Sequence, residues 1–132
     1  MAFSRYNAKD EVVTVGGVHI TGLAEDFWSF EKRESLAEDE VGAQGDVVRN
    51  ESNDPLYDAT ITVQNTSPQI KYLRSLAKET VPFPIWRTNK SLGITEGGSQ
   101  ALLSEIPSSE AGTTAGESEF KFTVYDGETI TD

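Results

Sequence analysis

Between Tyr57 and Glu79 the chain carries a strand-like period, a sharp corner and a helix-like period in immediate succession, and few folds satisfy all three. In Tyr57-Asp58-Ala59-Thr60-Ile61-Thr62-Val63-Gln64 the residues Tyr57, Ala59, Ile61 and Val63 alternate with Asp58, Thr60, Thr62 and Gln64. That alternation belongs to a strand with one buried and one polar face. Asn65-Thr66-Ser67-Pro68 makes the corner. Ser67 can accept a hydrogen bond from an orphan N–H of a first helical turn, and Pro68 suits the first helical position, where its missing N–H costs nothing. Ile70, Leu73, Leu76 and Ala77 then share a helical face, with Lys71, Arg74 and Lys78 turned away, so a helix is predicted over about 67–79. Pro82 and Pro84 stop it.

The rest of the chain reads as extended segments around this unit. Glu11–Val15 and Val18–Leu23 flank Gly16-Gly17, a hairpin signal because the primed turns need positive φ. Phe27–Arg33 is a third strand with Trp28 and Phe30 on one face. Phe83–Thr88 is another, demoted to a sheet edge or strand start by its two prolines. Asn89–Ser99, ending in Gly97-Gly98, reads as turns, and Gln100–Ile106 as a strand. Ser108–Ser118 can bury almost nothing and reads as a surface loop. In Glu119–Tyr125 the residues Phe120, Phe122 and Val124 face in while Glu119, Lys121 and Thr123 face out. Residues 1–9 read as a flexible N-terminal arm. About seven strands and one helix without strand–helix alternation exclude a parallel doubly wound sheet. The prediction is a single mainly-β domain over 1–132, an antiparallel β-sandwich or partly closed barrel with one flanking helix.

Residues 34–56 form a long acidic loop in this reading, with Glu34, Glu38, Asp39, Glu40, Asp46, Glu51 and Asp54 against a lone Arg49. A loop of this length in a compact domain is either functional or disordered. It lacks the ligand order of an EF-hand, so calcium is not expected, and a partner subunit is the better target. Across the whole chain 22 acidic residues face 11 basic ones, a formal net charge of −11, which repels nucleic acid and anionic membranes. No apolar run approaches the roughly 18 residues of a membrane span. The absence of cysteine removes disulfides and thiolate metal sites.

Catalytic signals are missing. His19, the sole histidine, falls beside Thr21 on the polar side of its strand and reads as a solvated residue. No phosphate-binding glycine motif is present, since Gly42-Ala43-Gln44-Gly45 lacks the lysine. The chain is therefore expected to be no enzyme and to hold no cofactor and no metal. Trp28 or Trp86 could serve a carbohydrate-binding β-sandwich, which stays open as an alternative.

Five segments in order resemble a known family: Val13–Leu23 (V-x-V-G-G-V-x-I-T-G-L), Val41–Arg49 (V-G-A-Q-G-D-V-V-R), Thr60–Pro68 (T-I-T-V-Q-N-T-S-P), Phe83–Trp86 (F-P-I-W) and the terminal F-K-F-T-V strand. Together they are similar to the tail-tube proteins of long-tailed, contractile phages. The resemblance implies hexameric rings that stack into a hollow tail tube, assembled in the host bacterial cytoplasm and carried in the virion beside the tail sheath. Phage DNA would pass through the lumen without tight binding. It implies strands joined between neighbours, a lumen wall drawn from Asp58, Thr60, Thr62, Gln64, Glu119, Lys121 and Thr123, and a ring-stacking loop carrying Glu38, Asp39, Glu40, Asp46 and Arg49. Lys71, Arg74 and Lys78 of a neighbour are the complementary cations. A tail accessory of the same fold, a tube terminator or distal ring, is the alternative within the resemblance.

Overall fold

The computed structural model describes residues 5–131. As the alternating patterns require, it is mainly antiparallel β, with one short helix, and its main sheet does not close. The strands are β1 (Glu11–Val15), β2 (Val18–His19), β3 (Leu23–Lys32), β4 (Ala37–Val41), β5 (Val47–Glu51), β6 (Tyr57–Gln64), β7 (Phe83–Asn89), β8 (Ile94–Glu105), β9 (Glu117–Val124) and β10 (Glu128–Thr131). The main sheet runs β2-β1-β7-β8-β9-β6-β3, with β10 on β8, while β4 and β5 pair only with each other.

The core is the sum of the inward faces. Val13 and Val15 of β1, Ile85 of β7, Ala59, Ile61 and Val63 of β6, and Phe120, Phe122 and Val124 of β9 are all fully buried. Phe83 meets Phe122 edge to face at 6.1 Å between ring centres. That geometry sets the positive ring edge against the negative ring face. At the β1–β2 turn, Gly16 and Gly17 have φ of +59° and +83°, the left-handed pair that a two-residue hairpin demands.

The helix is shorter than the periodicity predicts. An α-helix α1 (Ile70–Ser75) tightens into a 3₁₀ turn over Leu76–Lys78. Leu73 and Leu76 are buried, but Ala77, expected on the same face, is exposed. Once the turn tightens to three residues, position 76 lies over position 73 and position 77 rotates outward. Ser67 and Pro68 lie before the helix and not at its cap and first position, for the N-cap is Gln69, without a side-chain cap bond. The Ser67 hydroxyl accepts the Gln69 N–H at 3.3 Å and donates to the Thr21 carbonyl at 2.6 Å, tying the corner to the chain beyond β2.

Of the two places left open for the prolines, the strand start is the one found: Pro82 precedes β7 and Pro84 is its second residue, where the β7–β8 register shifts between Phe83 and Ile85, although β7 itself lies inside the sheet between β1 and β8. Three local expectations change. Gly97-Gly98 ends no turn but lies buried inside β8, which starts at Ile94. The acidic loop over 34–56 is instead a β-hairpin, β4–β5, with its register running from Ala37↔Glu51 to Val41↔Val47. Of the arm expected over 1–9, residues 1–4 lie outside the described residues, and Ala8–Asp10 form a 3₁₀ turn started by Asn7, whose side chain accepts the Lys9 N–H at 2.9 Å. No helix among the described residues is long and apolar enough to cross a membrane.

β8 is the longest strand and serves two partners along one edge. Its Ala101–Glu105 half pairs with β9 and its Ile94–Gly97 half with β10. Between them Asp126 pins the crossing, accepting the Ser99 and Gln100 N–H groups at 3.3 and 2.9 Å as well as the Ser99 hydroxyl. On the opposite edge the β7 backbone comes so close that a Cβ on Gly97 would lie 2.0 Å from the Ile85 carbonyl oxygen, and Gly97 has φ of +138°. Gly97→Ala is therefore expected to lower stability by about 2–4 kcal/mol, read as a lower urea midpoint with an unchanged slope.

Candidate functional site: a polar sheet face between two free edges

The register of β6 with β9 decides which side chains share a face. Ala59 lies opposite Phe122 and Ile61 opposite Phe120, so the intervening pairs Asp58↔Thr123, Thr60↔Lys121, Thr62↔Glu119 and Gln64↔Glu117 lie on the other side. All seven residues expected to line a lumen are thus brought together on one surface. β3 extends it, since Ser29 and Glu31 pair with Thr60 and Asp58, and β8 extends it through Glu105 opposite Lys121.

The surface is acidic but not uniform. Five carboxylates (Glu31, Asp58, Glu105, Glu117 and Glu119) face the two cations Arg33 and Lys121. Arg33 reaches Asp58 at 2.7 Å and the Thr123 hydroxyl at 3.1 Å; the hydrogen bond to Asp58 raises its pKa and keeps it charged. Lys121 lies 3.6 Å from Glu105. Both pairs are well exposed, so each contributes little to stability. They cancel the positive charges locally, and the remaining carboxylates set the sign of the surface.

Two edges bound this four-stranded patch. Among the described residues β3 ends the main sheet, with no strand beyond it. On β8 the pairing with β7 stops at Ala101↔Phe83, leaving Leu102–Glu105 without a strand partner on the side away from β9 among the described residues. The strands between them alternate in direction from β3 through β6 and β9 to β8.

The residues expected to stack rings lie elsewhere. Glu38, Asp39, Glu40 and Arg49 are on the hairpin strands and Asp46 is in the turn, all exposed. Asp39 faces Arg49 in register, and Asn50 donates to Glu40 at 2.8 Å. The tip leaves Val41, Val47 and Val48 at 71%, 65% and 55% exposure. Of the expected complementary cations, Lys71 and Lys78 are exposed, whereas Arg74 is half-buried with its guanidinium 3.5 Å from the Pro107 carbonyl oxygen. Among the described residues no ion pair joins the hairpin to these cations within one chain. His19 is exposed at the end of the two-residue β2. Trp28 is half-buried, stacks on Phe30 at 6.0 Å, and donates its indole N–H to Glu96 at 2.6 Å. That contact leaves less of the indole for a sugar.

Sequence reasoning passed over a buried charge. Glu11 is fully enclosed and receives Arg87 through both carboxylate oxygens, at 2.6 and 2.7 Å, with Asn89 donating at 2.8 Å and the Tyr6 hydroxyl at 3.2 Å. Arg87 reaches on to Glu96 at 3.3 Å. Burial alone would push the Glu11 carboxyl up, but the hydrogen bonds from Arg87, Asn89 and Tyr6, with the Arg87 charge, hold it below the ordinary carboxylate value. The signal was available: Glu11 is in phase with Val13 and Val15, on the apolar side of its strand.

No protein-family model and no curated protein matches the chain. Solved structures do. The chain is similar to the tube-terminating cap of the anti-feeding prophage, at 11% identity and a TM-score of 0.59, with all of this chain aligned to 95% of that one. It is similar to the sheath/tube terminator of the PVC extracellular contractile injection system in its extended state, at 14% identity and 0.59, over 99% of this chain and 100% of that one. It also matches a chain of the PVC sheath–tube complex in the extended state, at 14% identity and 0.58, over 97% and 93%. At these identities what is shared is the fold.

A folded-state carboxyl lowered below its unfolded value adds stability that is present above the unfolded pKa and lost as pH falls through the folded one. The stability gap between wild type and Glu11→Gln is therefore expected to be constant from neutral pH to about 5 and to shrink below about 4. Urea titrations at stepped pH check this.

Proposed function

We propose that the chain is a ring-forming structural subunit of a contractile, tail-like particle, and that its ring terminates the tube. The observation that carries this reading is the polar four-stranded face bounded by two unpaired edges. An exposed edge is a liability in a solitary protein and disappears when a ring pairs it. Rotation about an axis along the strands brings β8 of one copy beside β3 of the next. Because the four strands alternate, that junction is antiparallel, like every other pair in the main sheet. Six copies, the number the tail-tube resemblance implies, would close the ring.

In such a ring Asp58, Thr60, Thr62, Gln64, Glu119, Lys121 and Thr123 face a water-filled bore. A basic lining would hold nucleic acid by counterion release; this one, with its cations paired and its carboxylates in excess, lets a polyanion slide. The likeness in fold to two tube terminators supports the terminal position. The β4–β5 hairpin supports a second contact, along the axis. A two-stranded hairpin is marginal in water by itself, and this one keeps three valines exposed beside its carboxylates. It is suited to seat on the adjoining tube ring, with the sheath outside. A tube-forming subunit is the second reading, favoured by the match to a chain of the sheath–tube complex and distinguished by long tubes from the purified protein alone.

Two measurements test the proposal. Within one chain Glu31 and Glu105 are separated by two intervening strands, about 14 Å, beyond the reach of a disulfide. The variant Glu31→Cys/Glu105→Cys, in a chain otherwise free of cysteine, is expected to give a covalent ladder ending at the ring under oxidation; a product that stays a single chain refutes the edge pairing. Asp39→Lys/Glu40→Lys is expected to leave rings intact in negative-stain images while abolishing co-sedimentation with tubes of the same particle. Retained co-sedimentation would remove the hairpin from the axial contact.

A further inference from the structure

The peptide bond between Asp54 and Pro55 lies where the hairpin rejoins the body, just before β6. Its surroundings are more than a connection requires. The Lys32 ammonium, on β3, donates a hydrogen bond to the Asp54 carbonyl oxygen. Lys32 is itself held in place by its register with Tyr57 and by lying 5.6 Å from the centre of that ring. The Asp54 side chain folds forward along its own carbonyl, with Oδ1 accepting the Leu56 N–H at 2.9 Å. The segment is clamped on both sides: Asp54 N–H donates to the Ser52 hydroxyl at 3.3 Å and Arg33 N–H to the Leu56 carbonyl at 3.0 Å. Asp54 is half-buried.

These are the parts of an intramolecular acyl transfer. A carboxyl separated from its own backbone carbonyl by two carbons, Cα and Cβ, can close a five-membered ring on it. A proline nitrogen is a more basic leaving group than an ordinary amide. A cation on the carbonyl oxygen stabilises the negative charge that develops there. We infer that Asp54–Pro55 is a self-cleaving joint in mild acid, with Asp54 as nucleophile and Lys32 as the electrostatic stabiliser. The protonated Asp54 carboxyl forms a C–O bond to the Asp54 carbonyl carbon. As the C–N bond breaks, the carboxyl proton passes to the Pro55 nitrogen. The cyclic anhydride then takes up one water, leaving Asp54 as a new C-terminus with two carboxyl groups and Pro55 as a new N-terminus. Nothing is oxidised or reduced, and water is the sole co-reactant.

Cleavage nicks the chain without dismantling it, because β1 remains paired with β7 and β3 with β6. What changes is the hairpin, which is then tethered only on its β3 side. The inference stands whether or not the protein forms rings.

The test is intact-mass spectrometry of the folded protein held at about pH 4, where a carboxyl is partly protonated. Fragments 1–54 and 55–132 are expected to accumulate about tenfold faster than the same bond breaks in a synthetic peptide of residues 50–59. Lys32→Met should remove the acceleration, Lys32→Arg should retain most of it, and Asp54→Asn should abolish cleavage, with circular dichroism at the same pH showing each variant folded. Should Lys32→Met fail to fold, the folded wild type against the peptide and against Lys32→Arg decides. A folded-state rate no higher than the peptide's, or a folded Lys32→Met that cleaves as fast as wild type, overturns the inference.

Discussion

The antiparallel pairing of β6 with β9 holds the rest of the structure in place. Eight register pairs run from Tyr57↔Val124 to Gln64↔Glu117, and they alternate strictly between core and surface. A slip of one residue in β9 would put Phe120 and Phe122 in water and Lys121 and Glu119 in the core. Burial of those two phenylalanines against Ala59 and Ile61 therefore fixes the register, and the register assembles the polar face. The putting together of the site is a by-product of packing: the residues on the wet side are placed by the residues on the dry side.

The two edges of that face follow from β8. Along one edge β8 pairs with β9 and then with β10, consecutive antiparallel segments interrupted where Asp126 accepts the Ser99 and Gln100 N–H groups. Because the pairing with β7 ends at Ala101, the second half of β8 is left without a strand partner on that side among the described residues. A natural sheet protein usually blunts such an edge. Here the edge carries Leu102, Leu103, Ser104 and Glu105, and the opposite edge on β3 is equally unprotected by proline or a covering strand. The same economy shows in the hairpin, where ten strand residues bury no side chain. Both features cost stability in an isolated chain and fit the ring and axial contacts proposed above.

Where sequence reasoning erred, the errors have a common cause. Prolines and glycines report what the local backbone tolerates, not who its neighbours are. Pro84 leaves an edge and a strand start equally open, and only the pairing partners show β7 starting inside the sheet, beside a register shift against β8. Gly97-Gly98 suggested a turn, yet glycine is needed there because the β7 backbone passes within contact of it. The charged run after Glu34 suggested a loop, because its alternation of carboxylate and valine is too weak for a core-facing strand; a hairpin that faces no core has no need of a stronger one. In its local sequence Glu11 reads as a strand residue like any other, for its partner Arg87 lies 76 residues away.

From the residues alone came the chemistry of each element: the dry and wet faces of β6 and β9, the Gly16-Gly17 turn, the Ser67 corner, the acidic surplus and the lack of catalytic groups in any recognisable spacing. Periodicity carries that information because side-chain direction is a local property of strand and helix. The tertiary structure alone decided which wet faces lie side by side, that β8 is shared between two neighbours, and that a buried ion pair joins β1 to β7. Those outcomes depend on which distant strand completes each backbone ladder, and the period of a strand does not record its partner.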